Sequence, residues 1–392
     1  MANRVRIVSA ILAAAFLSSA ASAAEEQWLR YRTSAEPYRY DIAVKPQILE
    51  VLAEAPQGLK APESAGFDAR FARWKTPMAK NGVLLMLSRS KQDGAYDRLY
   101  VDTTGEGNFA GAAAIKPNKQ SPDSTSVTFG PFRIALAGED GAITYDALVY
   151  SSLRQGNVRV ALASACWYEG QVTIDGKKYQ CTLIDHNCNG TFNDSSIELH
   201  NCDYIKLGAG DKIPSRYMGK YLQVDGKLYH PEPARDGASI KFERAENVPM
   251  GTLVVSDEIT FVSLAGPNGH MDFDLTNGTT QVPAGQWLLN RWRVDRKDSA
   301  GAKWTLTGAS FPESTAFDIA EGQEKTIDIG EPVTVKVATI KSSDQIIVRE
   351  VLAGKLGEDV TVELGGGTPP APKLRIKNAD GSYDKAFEFQ YG

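Results

Sequence analysis

Side chains suited to acid-base catalysis are scarce in this chain. Only four histidines occur among 392 residues, and no G-x-S-x-G, H-E-x-x-H or C-x-x-C pattern is present. The common serine-hydrolase, zinc-protease and dithiol signatures are therefore excluded. A paired-carboxylate glycosidase would leave no such signature, so carbohydrate hydrolysis stays open. Basic charge is also lacking, since the formal net charge is -5. A chain of that balance offers no cationic footprint to phosphate backbones, and nucleic acid is not an expected partner.

Long apolar runs are missing after the first one. Arg4 and Arg6 precede Ile7 to Leu17, and Ala21-Ser22-Ala23 follows, which is the layout of a secretory signal with cleavage expected after Ala23. The run is shorter than the roughly 20 residues that span a bilayer. No Cys follows it to accept a lipid. An exported chain that is not membrane-spanning after cleavage is expected, periplasmic or extracellular, and loss of the two arginines takes its charge from -5 to -7. The four cysteines, Cys166, Cys181, Cys188 and Cys202, share one short window. Export favours disulfides among them. A hairpin at Asp175-Gly176 sets Cys166 opposite Asp185 and away from Cys181, and a return of the Asp185 loop through Ile197 would bring Cys181 near Cys202, so 166 with 188 and 181 with 202 is the favoured pairing, with the other connectivities open.

What is present is β pattern. Short alternating runs such as Arg98 to Val101, Thr326 to Ile329, Val333 to Val337 and Lys373 to Ile376 are separated by Gly, Asn and Asp. Asp175-Gly176, Asp225-Gly226 and Asp380-Gly381 have the composition of two-residue hairpin turns. One short helix is expected, from Gln47 to Ala55. The fold class is mainly β: a signal over 1–23, an N-terminal segment 24–80, a duplicated β module 81–210, a β-sandwich-like domain 211–314 and an Ig-like sandwich 315–392. The duplication rests on aligning 96–109 with 179–192, each a strand, an Asp, a polar loop and a Phe.

Those two loops carry the chemistry. Counting Asp185 as position 1 places Asn187 at 3, Asn189 at 5, Gly190 at 6, the Thr191 carbonyl at 7 and Asn193 at 9, the register of an EF-hand-type calcium loop. Position 12 is Ser196 in place of the bidentate Glu, so a full EF-hand is excluded, and Asp194 or Glu198 has to close the shell. Asn and Asp also bond to nearby backbone without any ion, which is the plainer reading of the same residues. The first copy offers Asp102, Thr104 and Glu106 with Gly107 at position 6, but Ala110 at 9 has no ligating side chain. Asp102-Thr103-Thr104 is not an aspartic-protease motif, because Thr104 stands where Gly is needed and no partner motif occurs. With so few carboxylates, affinity on the order of 10⁻⁴ to 10⁻³ M is expected, a structural ion.

Two rivals use other residues. His186, Cys188, His200 and Cys202 form two His-Asn-Cys triplets that could hold Zn or Cu. Trp287, Trp292 and Trp304 could present a sugar platform, or pack in the core, with Trp292 and Trp304 stacked across the turn at Asp298 to Gly301. Val282-Pro283-Ala284-Gly285-Gln286-Trp287-Leu288 is similar to an edge found in transthyretin-like and Ig-like bacterial sandwiches. The two loops and the Phe-x-Tyr-Gly terminus resemble a group of uncharacterised exported bacterial proteins with an "LIDxNxNGxFxD" strand-loop, matched here by Asp185, Asn187, Asn189, Gly190, Phe192 and Asp194. That resemblance implies a fold and an ion and assigns no activity. The reading is an exported, calcium-stabilised structural or binding protein, with cell-surface polysaccharide or protein as partner; the alternative is a carbohydrate-binding protein or glycoside hydrolase.

Overall fold

The computed structural model describes residues 25–390 except 60–61, 63–64, 104–107, 110, 122–124, 139–140, 211–212 and 343–344. The expected signal, Thr104, Glu106, Gly107 and the final Tyr-Gly lie outside them. The described chain is mainly β, with antiparallel sheets and none closed into a barrel. No described helix is long and apolar enough to cross a membrane. The expected helix from Gln47 is instead two short strands, Gln47–Leu49 and Val51–Leu52. Ile48 and Leu49 pair with Ala161 and Val160, and Val51 with Ala72. Two sheet edges thus claim the backbone that a helix would have satisfied internally.

Burial patterns follow the alternation of each strand. In Lys177–Ile184, Tyr179, Cys181 and Leu183 point inward while Lys178 and Gln180 face water. Val83–Arg89 is a continuous apolar run because both of its faces are covered: Val83, Leu85 and Leu87 enter the largest core, while Leu84 and Met86 enter a smaller one with Phe71, Tyr100 and Phe109. The largest core draws on residues from Leu29 to Ile240. A second is built from residues between Leu228 and Val360, including Trp287, Trp292 and Phe273. The strand Asp359–Leu364 pairs with Lys303–Ala309, so the chain after Ala316 continues the sheet that precedes it.

Two Asp-Gly turns close as expected. Ile174 pairs with Lys177 and Val224 with Lys227, and both central residues of each turn have positive φ. The two hairpins also grip one another. Lys177 Nζ and Tyr179 OH donate to Asp225 Oδ2 at 2.6 and 2.8 Å, and Lys227 Nζ and Tyr229 OH donate to Asp175 Oδ2 at 2.7 and 2.8 Å. This reciprocity comes from a second repeat, D-G-K-x-Y at 175–179 and 225–229. Asp380-Gly381 differs: Lys377 pairs with Asp384, which leaves a longer loop braced by Asn378 and Ser382. Thr326 to Ile329 also departs from expectation, as only Glu324–Thr326 is strand.

The tryptophans do not stack across their turn. Asp298 Oδ1 accepts the Ala300 and Ala302 N–H groups and Oδ2 accepts Trp304 Nε1. That widened turn sets Trp292 opposite Gly308 and Trp304 opposite Arg296. Trp287 and Trp292 are fully buried, and only Trp304 of the three is partly exposed. Trp292 lies flat on Gly308, where an added Cβ would come 2.2 Å from the indole Cε2, and its Nε1 donates to buried Glu358 at 2.6 Å.

Candidate functional site

The strand Lys177–Ile184 sits inside a five-stranded sheet between Cys166–Ile174 and Tyr204–Gly208. Its position carries Asp185 out of the sheet already buried. Asp185 then organises the loop through backbone donors: Oδ1 accepts Asn189 N–H at 3.1 Å and Oδ2 accepts Gly190 N–H at 2.8 Å. Tyr145 OH donates to the same Oδ2 at 2.7 Å. Gly190 has φ +95°, and a Cβ there would lie 3.0 Å from Thr76 Oγ1 and 3.1 Å from the Trp74 ring. Trp74 covers the loop, donates Nε1 to the Cys188 carbonyl at 2.8 Å and stacks on Tyr145 with centroids 5.1 Å apart. Phe192 anchors the far side, edge-on to Tyr168.

The loop's polar groups meet at Asp194. Asn187 Nδ2, Asn189 Nδ2 and the Thr191 hydroxyl donate to Asp194 Oδ2 at 3.0, 2.6 and 2.9 Å. The side-chain oxygens of Asn187 and Asn189 accept the Asn189 and Thr191 N–H groups. Of the two candidates for closing the shell, Asp194 is in place, whereas Glu198 is exposed and paired with His200 and Asn201. Asn193 is exposed and stands outside the cluster. Thr191 contributes its hydroxyl. Asp102, at the equivalent place in the first loop, is buried with its N–H on the Leu84 carbonyl.

One residue that the loop register does not predict is central. Asp203 is fully buried and accepts His186 N–H at 3.1 Å and Asp194 N–H at 2.8 Å, bracing the loop at both ends. Burial pushes the Asp185 carboxyl up to about 7, with the nearby Asp194 charge adding to it. Burial pushes Asp203 well above the carboxylate range, with repulsion from Asp185 and Asp194 behind it. No lysine or arginine is ion-paired with Asp185, Asp194 or Asp203 among the described residues.

Comparisons with family models, curated proteins and solved structures return no match to this chain. The chemistry therefore rests on the site itself. Asp185 spends its lone pairs on the loop backbone and Tyr145, so the point of convergence is Asp194 rather than the first loop position. Among the described residues no three His, Cys, Asp or Glu side chains are grouped to hold a metal. A hard cation here would be held by a mixed set of carboxylate, amide and hydroxyl oxygens, of the kind calcium accepts.

The thiols and imidazoles do other work. All four cysteines are free and buried, in place of the expected disulfides. Cys181 pairs with Leu207, five residues beyond Cys202 on the neighbouring strand. At about 3.3 Å per residue that is roughly 16 Å, out of reach of a bridge. Cys166 and Cys188 both approach Ser164: its N–H donates to Cys188 Sγ at 3.2 Å, and its hydroxyl lies 3.7 Å from Cys166 Sγ. Burial pushes Cys166 and Cys181 up to about 12, which keeps them as thiols. His186 stacks on Tyr204 at 3.9 Å and bonds to the Ala43 carbonyl. The four-residue Zn or Cu site is not assembled.

Proposed function

We propose that this is an exported, calcium-stabilised β protein of the periplasm or cell surface, with a structural or binding role. The observation that carries the reading is the clustering of Asp185, Asp194 and Asp203. Two of them are fully buried, each repels the others, and among the described residues no lysine or arginine is ion-paired with them. Isolated buried carboxylates are costly unless protonated or paired. A divalent cation supplies the missing positive charge, and an all-oxygen donor set suits calcium over zinc or copper. Asp194, Asn187, Asn189 and Thr191 would hold it, with the two amides turning from nitrogen-first to oxygen-first. Asp185 and Asp203 would shape the loop behind them. On this reading the chain joins the exported bacterial β proteins that its LIDHNCNGTFND segment resembles, and its C-terminal strands take their Ig-like or transthyretin-like character from the same kinship.

Thermal unfolding with calcium or with chelator tests this. For affinity between about 10⁻⁴ and 10⁻³ M, about 10 mM calcium adds roughly 1.4 to 2.7 kcal/mol, or roughly 2 to 4 °C in Tm for a chain of this length. Asp194→Asn removes most of that rise. A midpoint indifferent to calcium overturns the proposal.

A further inference from the structure

A second buried carboxylate lies well away from the loop. The strand Gly269–Asp274 places Met271 and Phe273 in the second core. Its other face, His270, Asp272 and Asp274, meets the segment that leaves the first core. Arg216 Nη1 donates to the Asp272 carbonyl at 3.1 Å and pairs with Asp274. Lys220 N–H donates to the Asn268 carbonyl at 2.9 Å, and His270 Nε2 lies 2.7 Å from the Ile197 carbonyl. Gly219 is so close that a Cβ would sit 2.1 Å from the His270 carbonyl oxygen. This is a tight joint between the two cores.

Inside it, both carboxylate oxygens of Asp272 and the hydroxyl of its cross-strand partner Ser263 are buried without a well-formed hydrogen bond; the Ser263 hydroxyl and the Tyr217 N–H lie near enough to favour the carboxylate without satisfying it. Such groups are rare in folded proteins and costly. An ionised Asp272 has only the imperfectly placed Ser263 hydroxyl and Tyr217 N–H to turn to in this closed arrangement, whereas a protonated one loses far less by dehydration.

We propose that Asp272 is a proton-controlled latch: protonated it lets the two cores close on each other, and on ionisation it draws water into the joint and loosens it. The charged and titratable groups around it fit that role. From its own strand come His270, whose imidazole burial pushes below its ordinary value and which is bonded to Asn290, and Asp274, engaged with Arg216. From the strand beyond Ser263 comes Arg291, which lies over the Phe261 ring. Across the joint stand Arg216, Tyr217 and Tyr204. Burial holds Asp272 above the ordinary value of 3.8, outweighing the Ser263 hydroxyl, the two arginines and the Tyr217 N–H, which favour the carboxylate. A raised acid favours the closed state at low pH, and that contribution is lost as pH rises through the raised value.

Hydrogen exchange on the full chain, with chelator present and intrinsic rates corrected, tests the latch. Peptides covering residues 213–222 and 266–276 are expected to open up to roughly tenfold more per pH unit between the ordinary value of 3.8 and the raised Asp272 value, one proton being released per opening, and to level off above it. Asp272→Asn flattens that rise while peptides over 185–194 keep their own pH dependence, which separates the latch from the calcium loop. Ser263→Ala keeps the carboxylate and keeps the rise. A flat wild-type profile overturns the proposal without any variant, and so does an Asp272→Asn protein whose joint still loosens with pH.

Discussion

Tyr145→Phe isolates the electrostatics of the loop. Tyr145 and Asp185 are both fully buried and share a 2.7 Å hydrogen bond. Phenylalanine keeps the ring and its stacking on Trp74, so the hydroxyl is the perturbation. A hydrogen bond to a charged group is worth about 1.5 to 3 kcal/mol, and one between neutral groups about 0.5 to 1.5. With Asp185 titrating at about 7 in the fold against 3.8 ordinarily, its contribution to wild-type stability is fully present only below the ordinary value. It falls as pH rises toward the folded value and levels above it, a total on the order of 4 kcal/mol. Because the tyrosine favours the ionised form, its loss pushes Asp185 higher and extends that fall to more alkaline pH. Urea unfolding in chelator is therefore expected to show a Tyr145→Phe deficit larger by about 1 kcal/mol near pH 8.5 than near pH 5. An equal deficit at both, or a larger one in acid, would refute the placement of this charge.

Gly190→Ala meets both a positive φ and the Trp74 ring; a loss of about 2 to 3 kcal/mol is expected, with the calcium-dependent rise in Tm abolished. Gly308→Ala pushes against the Trp292 indole with no free volume to yield, costing about 2 to 3 kcal/mol by urea unfolding. A thiol count should find no reaction in the native protein and all four cysteines reactive in denaturant without reductant; a count of two would mean that one bridge had formed.

Local signals carried part of the fold. Asp175-Gly176 and Asp225-Gly226 set their hairpins because the φ demanded at both turn positions is a property of the dipeptide and its flanking alternation. The Asp380-Gly381 turn opened because Asn378 and Ser382 supply competing side-chain bonds. The D-G-K-x-Y repeat was visible in the residues, yet only packing shows that each turn's aspartate answers the other hairpin's lysine and tyrosine.

The candidate site divides in the same way. The loop from Asp185 to Asp194 is contiguous, so its oxygens, its glycine and its anchoring Phe192 could be read in order along the chain. Tyr145 comes from another strand and Asp203 from the residue that leads into Tyr204–Gly208, and Asp272 becomes unusual only once Ser263 and Arg216 are packed beside it. Composition and spacing determined that this chain makes short strands and a polar Asp-Asn loop. Which carboxylates lose their water, and which of them then lack a partner, was decided by strand pairing between distant segments, because dehydration depends on everything that surrounds a group and not on its neighbours along the chain.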